Sequence, residues 1–134
     1  MAEIKTAVIK HLMNNAAVFA AFGNRIWADR IPDVPGGGAQ PYPYARLITV
    51  ASPQTYHYLG EGPRNPVIQI DVFDSAVATA DANTELIRAA LSGFHGQMGS
   101  INVGFTFVNA GPGTWDETTR NFRRILEARL ATNN

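Results

Sequence analysis

The feature that most constrains the fold of this chain is a strand pattern that leads directly into a helix pattern, within residues 66–91. Alternation over residues 67–73 predicts a strand with one apolar face and one mixed face. The apolar face consists of Ile68, Ile70 and Val72, and the mixed face consists of Val67, Gln69, Asp71 and Phe73. A strand that runs straight into a helix has to fold back on it. We therefore expect the two apolar faces to meet and form the core.

The helix half of this unit covers residues 76–91, where apolar residues recur at spacings of three and four. Asp74 and Ser75 precede it, and their side-chain oxygens are expected to cap its first turn. Ser92 and Gly93 are expected to end it. The buried stripe is predicted to consist of Val77, Ala80, Thr84, Ile87 and Leu91.

The chain before this unit predicts a first helix, then a second short helix or a bent extension of the first, and two strands. Residues 4–12 and 18–22 have helical apolar spacing, and His11 at the edge of the first stripe is expected to be a boundary residue rather than a ligand. Residues 26–27 and 44–52 favour strands.

Two segments rich in glycine, proline and polar residues are expected to be loops that are mobile in the free subunit. Residues 29–43 contain three consecutive glycines but lack the lysine and serine or threonine of a phosphate loop. In the second segment, residues 53–65, the part 54–59 has strand propensity and 60–65 predicts a turn.

The chain after the central helix predicts a clear strand and one ambiguous element. Residues 101–107 alternate, with Ile101, Val103, Phe105 and Phe107 on the expected apolar side. Trp115 begins a segment, 115–119, that predicts a hairpin-like loop. Residues 120–131 fit either a helix or a strand, and their composition favours a helix. The four arginines of this segment indicate either an anion site or a solvated face.

The search for chemistry predicts no catalytic, cofactor-binding or metal site. The 134-residue chain lacks cysteine, its 11 basic and 11 acidic residues cancel, and no apolar run is long enough to span a membrane. A binder of nucleic acid phosphates usually has a basic excess. Asp71 and Asp74 are expected to serve solvation and capping. We interpret the chain as a soluble intracellular product and not an enzyme, with a small-molecule-binding enzyme as the weaker alternative.

An ordered set of short motifs resembles the tail completion, or tail terminator, proteins of long-tailed bacteriophages and prophages. The resemblance covers residues 4–130 and is carried by the order of the motifs, because no single motif is specific. In chain order they are the initial helix pair, Gly23-Asn24-Arg25-Ile26-Trp27, Pro41-Tyr42-Pro43-Tyr44, Gln69-Ile70-Asp71-Val72-Phe73, Ile87-Arg88-Ala89-Ala90-Leu91, an aromatic strand and a closing strand. The glycine-rich loop at 36–38 is expanded relative to the family pattern.

The resemblance implies an α+β fold in a single domain, residues 1–134, with a mainly antiparallel β-sheet and helices packed on one face. It also implies that residues 120–131 form a closing strand. The implied function is a ring, commonly a hexamer, that caps the head-proximal end of the tail tube, ends tail growth and offers a docking surface to the head connector. A head-tail connector adaptor or a tail tube component is the alternative.

The implied partners are other copies of this chain, the tail tube protein and the connector proteins. DNA would pass through the lumen without specific binding, and the protein would reside in the virion after assembly in the host cytoplasm. Tyrosine is favoured at interfaces because it is amphipathic and stiff. We expect the subunit interface to use the mixed strand face and the loop tyrosines, namely Tyr42, Tyr56, Tyr58, Gln69, Asp71 and Phe73.

Overall fold

Three helices pack on one face of a curled β-sheet in the computed structural model, which describes residues 2–37, 40–51, 54–57, 60–111, 113–117 and 120–132. The helices are α1 (Ala2–Met13), α2 (Ala16–Phe22) and α3 (Val77–Leu91). The strands are β1 (Ile26–Ala28), β2 (Tyr44–Ala51), β3 (Gln54–His57), β4 (Gly60–Arg64), β5 (Val67–Asp74), β6 (Gly96–Met98), β7 (Ile101–Ala110), β8 (Thr114–Asp116) and β9 (Asn121–Thr132).

The main sheet has the strand order β1-β2-β5-β9-β7-β6, with β8 paired to β9 beside β7. All its pairings among the described residues are antiparallel except that of β1 with β2. β3 and β4 form a separate two-stranded sheet, and along the chain they come between β2 and β5. The expected α+β class, with helices on one face of a mainly antiparallel sheet, is confirmed.

The predicted strand-helix unit forms the centre of the core. Ile68, Ile70 and Val72 are fully buried, and they contact the same apolar cluster as Ile87 and Leu91 of α3. The cluster extends into the other helices and strands through Ile4, Val8, Leu12, Val18, Phe22, Ile26, Ala45, Leu47, Met98, Ile101, Val103, Leu126, Ala128 and Leu130. Since the alternate residues of β5 are absent from this cluster, the face assignment made from the sequence is confirmed.

The start of α3 differs from the expected capping. The N-cap residue is Ala76, which makes no side-chain capping bond, and Val77 is 45% exposed instead of buried. Asp74 is buried and accepts hydrogen bonds from the Ser75 amide at 2.7 Å and from Asn83 Nδ2 at 2.9 Å. Its carboxylate therefore links the end of β5 to the second turn of α3 rather than capping the first turn.

The closing segment is the strand β9, as the family pattern implied and contrary to its helical composition. It pairs with β5 from Val67↔Arg129 to Asp74↔Phe122, and with β7 along its other edge. Hydrogen bonding on both edges and burial of alternate residues outweigh an intrinsic helix preference of a few tenths of a kcal/mol per residue. The strand β9, whose own sequence was ambiguous between helix and strand, thus lies with β5 at the centre of the sheet.

A β-bulge overturns the expected side of two aromatic residues. Val103 pairs with Thr132 whereas Phe105 pairs with Ala131, so Gly104 is an extra residue in β7. After such a bulge the alternation changes its phase relative to the face. Ile101 and Val103 are buried as expected, but Phe105 and Phe107 are 43% and 52% exposed, and Thr106 takes the buried position.

Three shorter segments also differ from expectation. Residues 60–65 were expected to form a turn, but Gly60–Arg64 is the strand β4, paired with β3. The strand β8 overlaps the first two residues of the loop expected at 115–119, and the strand β6 had no clear sequence signal. His11 is a boundary residue, as expected: its Nε2 lies 3.0 Å from the Ala90 carbonyl oxygen and its ring packs on Phe94.

Candidate assembly surface

The sheet face that the helices do not cover, here called the open face, carries most of the polar and aromatic side chains of the central strands. Strand pairing places Arg46 beside Asp71 and Tyr44 beside Phe73, and Phe73 beside Arg123 of β9. Directly paired residues project from the same side of a sheet. The open face is therefore built from residues that alternate with the core residues of β2, β5 and β9.

A buried carboxylate lies at the centre of the open face. Asp71 is fully buried, and its Oδ2 accepts hydrogen bonds from Arg46 at 2.7 Å and from Arg123 at 3.1 Å. Its Oδ1 accepts a third bond, from Gln69 Nε2, at 2.8 Å. A buried charge is tolerated when it is paired and hydrogen-bonded in this way. The expectation that Asp71 serves surface solvation is therefore wrong.

The two arginines are positioned by Asp71 but remain within reach of solvent. Their side chains are 28% and 34% exposed, and the cluster has two positive charges against one negative charge. The Nε atoms of Arg46 and Arg123 are buried and lack a hydrogen-bond partner among the described residues. The neighbouring Arg124 pairs instead with Asp81 of α3 at 2.7 Å. Arg123 and Arg124 therefore lie on opposite faces of the sheet.

A row of aromatic rings lies beside the ionic cluster. Tyr44 stacks on Tyr42 with 5.5 Å between ring centroids, and on Phe73 with 5.0 Å. The ring centroid of Trp27 lies 6.1 Å from that of Tyr44. Burial raises the pKa of Tyr44 and the nearby Tyr42 raises it further, while a hydrogen bond with Asn121 partly opposes the shift. Tyr44 is thus neutral at physiological pH and acts as a rigid apolar wall.

The cluster and the aromatic row together line a groove of about 500 Å³. Arg46 and Arg123 form its floor, and its other lining residues are Ile31, Tyr44, Phe73, Thr114, Trp115, Asp116, Glu117 and Asn121. Trp115 is 40% exposed, and its Nε1 donates a hydrogen bond to Glu117 Oε1 at 2.9 Å. The indole of Trp115 pairs with Phe122, at 4.5 Å between ring centroids, so the ring lies on the side of the sheet opposite to Phe73 and Arg123. The groove is therefore lined by two arginines, by the rings of Tyr44 and Phe73, and by acidic residues of the β8 segment.

A second exposed feature, the phenylalanine patch, consists of Phe105 and Phe107. Their ring centroids are 4.7 Å apart, and strand pairing places them beside Ala131 and Arg129 of β9. Exposed aromatic clusters with a polar surround are typical of interaction surfaces. This patch lies on β7, whereas the groove is lined by residues of β2, β5, β9 and β8.

Four of the six residues predicted for the interface lie together. Tyr42 and Phe73 both stack on Tyr44, while Gln69 and Asp71 belong to the ionic cluster. Tyr56 lies on β3, where the structure describes the backbone, and Tyr58 lies outside the described residues. The same cluster contains Arg46, Arg123 and Tyr44, which the prediction did not name. In β2, Tyr44 and Arg46 alternate with the apolar Ala45 and Leu47. This alternation could have placed Tyr44 and Arg46 on the face opposite to the core.

The described residues contain no group of three or more histidine, aspartate or glutamate side chains that could hold a metal ion. Nor does that part of the chain include a helix long and apolar enough to cross a membrane. The arrangement of the open face is suited to contacts with macromolecules through stacking, charge pairing and burial of aromatic rings.

Comparison with known protein families gives a match over nearly the whole chain. The sequence profile of the family described as tail completion protein gp17 matches residues 6–132. The chain belongs to this family. The resemblance drawn from the ordered motifs is therefore confirmed, and this tail completion family member is a structural protein of phage tails.

A solved structure supports the fold of this tail completion family member independently. A chain in the structure titled "Virion of native gene transfer agent (GTA) particle" superposes with a TM-score of 0.78 and 19% sequence identity. The match covers 98% of this chain and 95% of that chain. At this identity the similarity shows a shared fold. None of the curated protein sequences compared with the chain is significantly similar to it.

Proposed function

We propose that this protein forms a ring at the head-proximal end of the tail tube, where it ends tube growth and presents a docking surface to the head connector. Family membership supports a role in completing the tail. The structural observation that carries the proposal is the open face, where aromatic rings and two arginines remain uncovered on one side of the sheet. The similar chain in a gene transfer agent particle supports incorporation into a virion.

A closed ring of identical subunits needs contacts in which one surface of a copy meets a different surface of the next copy. The open face offers two separate features for such contacts, the groove beside β2 and the phenylalanine patch beside β7. Aromatic residues and arginine are enriched at the buried centres of protein interfaces. We expect six copies in the ring, together with the tube protein below it and connector proteins above it.

The action proposed here is self-association and docking without catalysis. The formal net charge of zero suits subunits that have to assemble without strong mutual repulsion. It also suits a lumen through which DNA passes without being gripped, since phosphate binding depends on basic charge. Binding of double-stranded DNA to the purified protein is expected to be weak at physiological salt.

The proposal is tested with particles assembled in the absence of this protein. Their tails are expected to vary in length or to fail to join heads, and adding the purified protein to such tails should restore joining. Electron microscopy of the restored particles should show the added density at the head-proximal end of the tube. Tails of uniform length that join heads without the protein would contradict the proposal. Density along the whole tube, or on the connector alone, would favour a tube subunit or a neck adaptor instead.

A further inference from the structure

We propose that copies of this chain join head to tail by strand addition, with β7 of one copy pairing antiparallel to β1 of the next. The inference rests on the proposed ring and names the contact between its subunits. The acceptor is the outer edge of β7 at residues 108–110, and the occupant is Ile26–Ala28 of a second copy. Because β1 and β7 lie towards opposite ends of the main sheet, the same contact can repeat from copy to copy.

The outer edge of β7 is open beyond its first residues. Within the described part of the chain, β6 pairs only with residues 101–103 of β7, and the loop after α3 adds one bond, from the Gly93 amide to the Thr106 carbonyl oxygen at 3.0 Å. Residues 105–110 contain no charged residue and no proline, which are the usual devices that protect a strand edge. An unprotected edge of this kind is suited to the addition of a strand from another chain.

Strand geometry determines which backbone groups of β7 point outward. The Gly111 amide donates to the Ile125 carbonyl oxygen of β9 at 2.7 Å, so Gly111 points inward, whereas the Thr106 carbonyl oxygen points outward to the loop. Backbone groups alternate between the two edges along a strand, so Val108 and Ala110 also direct their N–H and C=O groups outward. Neither residue has a backbone partner on that edge within the described residues.

β1 offers a short outer edge of matching length. Arg25 and Asp29, which flank β1, are bonded to β2 through the Arg25 carbonyl oxygen and the Asp29 amide, at 2.9 and 2.8 Å. Ile26 and Ala28 alternate with them and direct their backbone groups away from β2. The Ala28 carbonyl oxygen accepts from the Arg30 amide and has a second lone pair for a further donor. The three residues of β1 therefore match the open segment of β7 in length.

The two edges also match in direction and in face. β1, β2 and β9 run in one direction and β5 and β7 in the other, so a sheet that continues into the next copy places its β7 antiparallel to β1. Ile26 and Val108, whose backbone groups point outward, both pack against the helix-covered core. Trp27 and Phe107 both lie on the open face. The joined sheet therefore keeps the helices on one side and the open face on the other.

Charge and access select one register of the two strands. In this register Trp27 lies opposite Asn109 of the partner subunit. Arg46 is paired with Trp27, and Asn109 is paired with the exposed Glu127, so one row of the joined sheet has opposite charges at its two ends. Complementary charges favour this alignment over others. A shift of two residues would align Arg46 with Arg129 of the partner subunit and would bring β1 onto the loop after α3.

This register pairs the free backbone groups and covers the phenylalanine patch. Ile26 exchanges two hydrogen bonds with Ala110 of the partner subunit, and Ala28 exchanges two with Val108 of the partner subunit. The nearer ring of the partner's phenylalanine patch then lies diagonal to the indole of β1, about 7–8 Å away and within reach of an aromatic contact. The aromatic row of one copy thus continues into the patch of the next.

The absence of cysteine from the chain allows a direct test by disulfide trapping. The double variant Ala28→Cys/Val108→Cys places thiols at positions that lie directly opposite in the proposed pairing, where Cα atoms about 5.5 Å apart suit a disulfide. Within one copy β2, β5 and β9 separate the two positions by about 19 Å, which prevents a bond inside the subunit. The variant is added to tails that lack the protein and is then oxidised.

Non-reducing gels should show a ladder of covalent multimers larger than dimers, at a yield several times that of the control Ala28→Cys/Ala82→Cys, whose second thiol lies on the exposed side of α3. A yield no higher than that of the control, or a product that stops at dimers, would overturn the head-to-tail pairing. If the wild-type protein in the same preparation caps tails and restores head joining, the proposed function stands and this inference alone fails. If the wild-type protein does neither, both fail.

A second measurement removes one backbone donor from the open edge. Ala110→Pro deletes an N–H that points away from β9, so the hydrogen bonds within the subunit stay intact and denaturant melts of the free protein should match the wild type. The capping of tails should fall several-fold. The control Ala110→Thr keeps the donor at the same exposed position and should cap tails as the wild type does. Equal capping by the two variants would also overturn the pairing.

Discussion

The two faces of the central sheet are formed by the same strands, but their side chains make different kinds of contact. On the helix-covered face, Ile68, Ile70 and Leu126 are buried in a continuous apolar cluster with the helices. On the open face, the residues between them form an ionic cluster and a row of stacked rings, and several of these side chains stay partly exposed. The comparison indicates that one face supplies the stability of the subunit and the other is available for assembly.

The difference is clearest at the two neighbours Ile70 and Asp71. Both are fully buried, but Ile70 is surrounded by the apolar core while Asp71 is enclosed by the side chains of Arg46, Arg123 and Gln69. A buried ion pair contributes less to stability than apolar packing of the same volume, because desolvation of the charges offsets their attraction. The open face therefore fixes the positions of arginines rather than maximising the stability of the fold.

The largest effect is expected for Ile70→Asp, which places an unpaired charge in the apolar cluster. We expect a loss of more than about 4 kcal/mol in the free energy of unfolding, enough to unfold a domain of this size. The matched open-face variant Gln69→Ala removes one hydrogen bond at a partly exposed position, and about 1 kcal/mol is expected. Denaturant melts of both variants check this, and equal losses would show that the faces are wrongly assigned.

A smaller effect is expected for Asp71→Asn, which leaves Arg46 and Arg123 without their shared counterion. We expect a loss of about 2 kcal/mol, below the 3–5 kcal/mol typical of a fully buried pair, because both arginines are partly exposed. The control Asp81→Asn removes the more exposed partner of Arg124 and should cost less than about 1 kcal/mol. If the two variants unfold at the same denaturant concentration, the cluster does not hold the open face together.

The bulge in β7 predicts different losses of stability for substitutions at Val103 and Phe107, although the alternation of the sequence puts both residues on one side. Val103→Thr should cost about 2 kcal/mol because it buries a hydroxyl, whereas Phe107→Thr should cost less than about 1 kcal/mol because that ring is exposed. Urea melts measure both values. A cost for Phe107→Thr above that for Val103→Thr would mean that the strand alternates without a bulge at Gly104.

The smallest effect is expected on the stability of the protein at alkaline pH, through the ionisation of Tyr44. Burial and the neighbouring Tyr42 raise its pKa, so the folded state favours the neutral phenol. Its contribution to stability is fully present below the ordinary tyrosine pKa of about 10 and is lost as pH rises from there through the raised pKa. Tyr44→Phe should make the decline of stability above that pH shallower than in the wild type. An unchanged decline in thermal melts would show that the open face does not perturb this phenol.

The sequence predicted the core because its signal is local. Alternation in β5 followed by helical spacing in α3 placed Ile68, Ile70, Ile87 and Leu91 correctly without any knowledge of strand pairing. The same reasoning failed at Phe105 and Phe107, because it did not treat Gly104 as a bulge, and this one extra residue changes the phase of the alternation. The strand β9 was predicted through the family pattern, since its own residues favour a helix.

The candidate site was only half predictable for a related reason. The ionic cluster joins Arg46, Asp71 and Arg123, which lie on three different strands, and their contact depends on the register of β2 and β9 against β5. No spacing along the chain encodes that register. The mixed face of β5 was predicted to reach an interface, but the two arginines that enclose Asp71 follow from tertiary pairing.

The most direct test of the division between the two faces is hydroxyl-radical footprinting of the free protein and of the protein assembled on tails. Oxidation of Phe73, Phe105 and Phe107 should fall strongly on assembly, because these rings line the groove or form the phenylalanine patch. Phe19, which is 48% exposed on α2, should remain as reactive as in the free protein. Unchanged oxidation of the open-face rings together with protection of Phe19 would contradict the account.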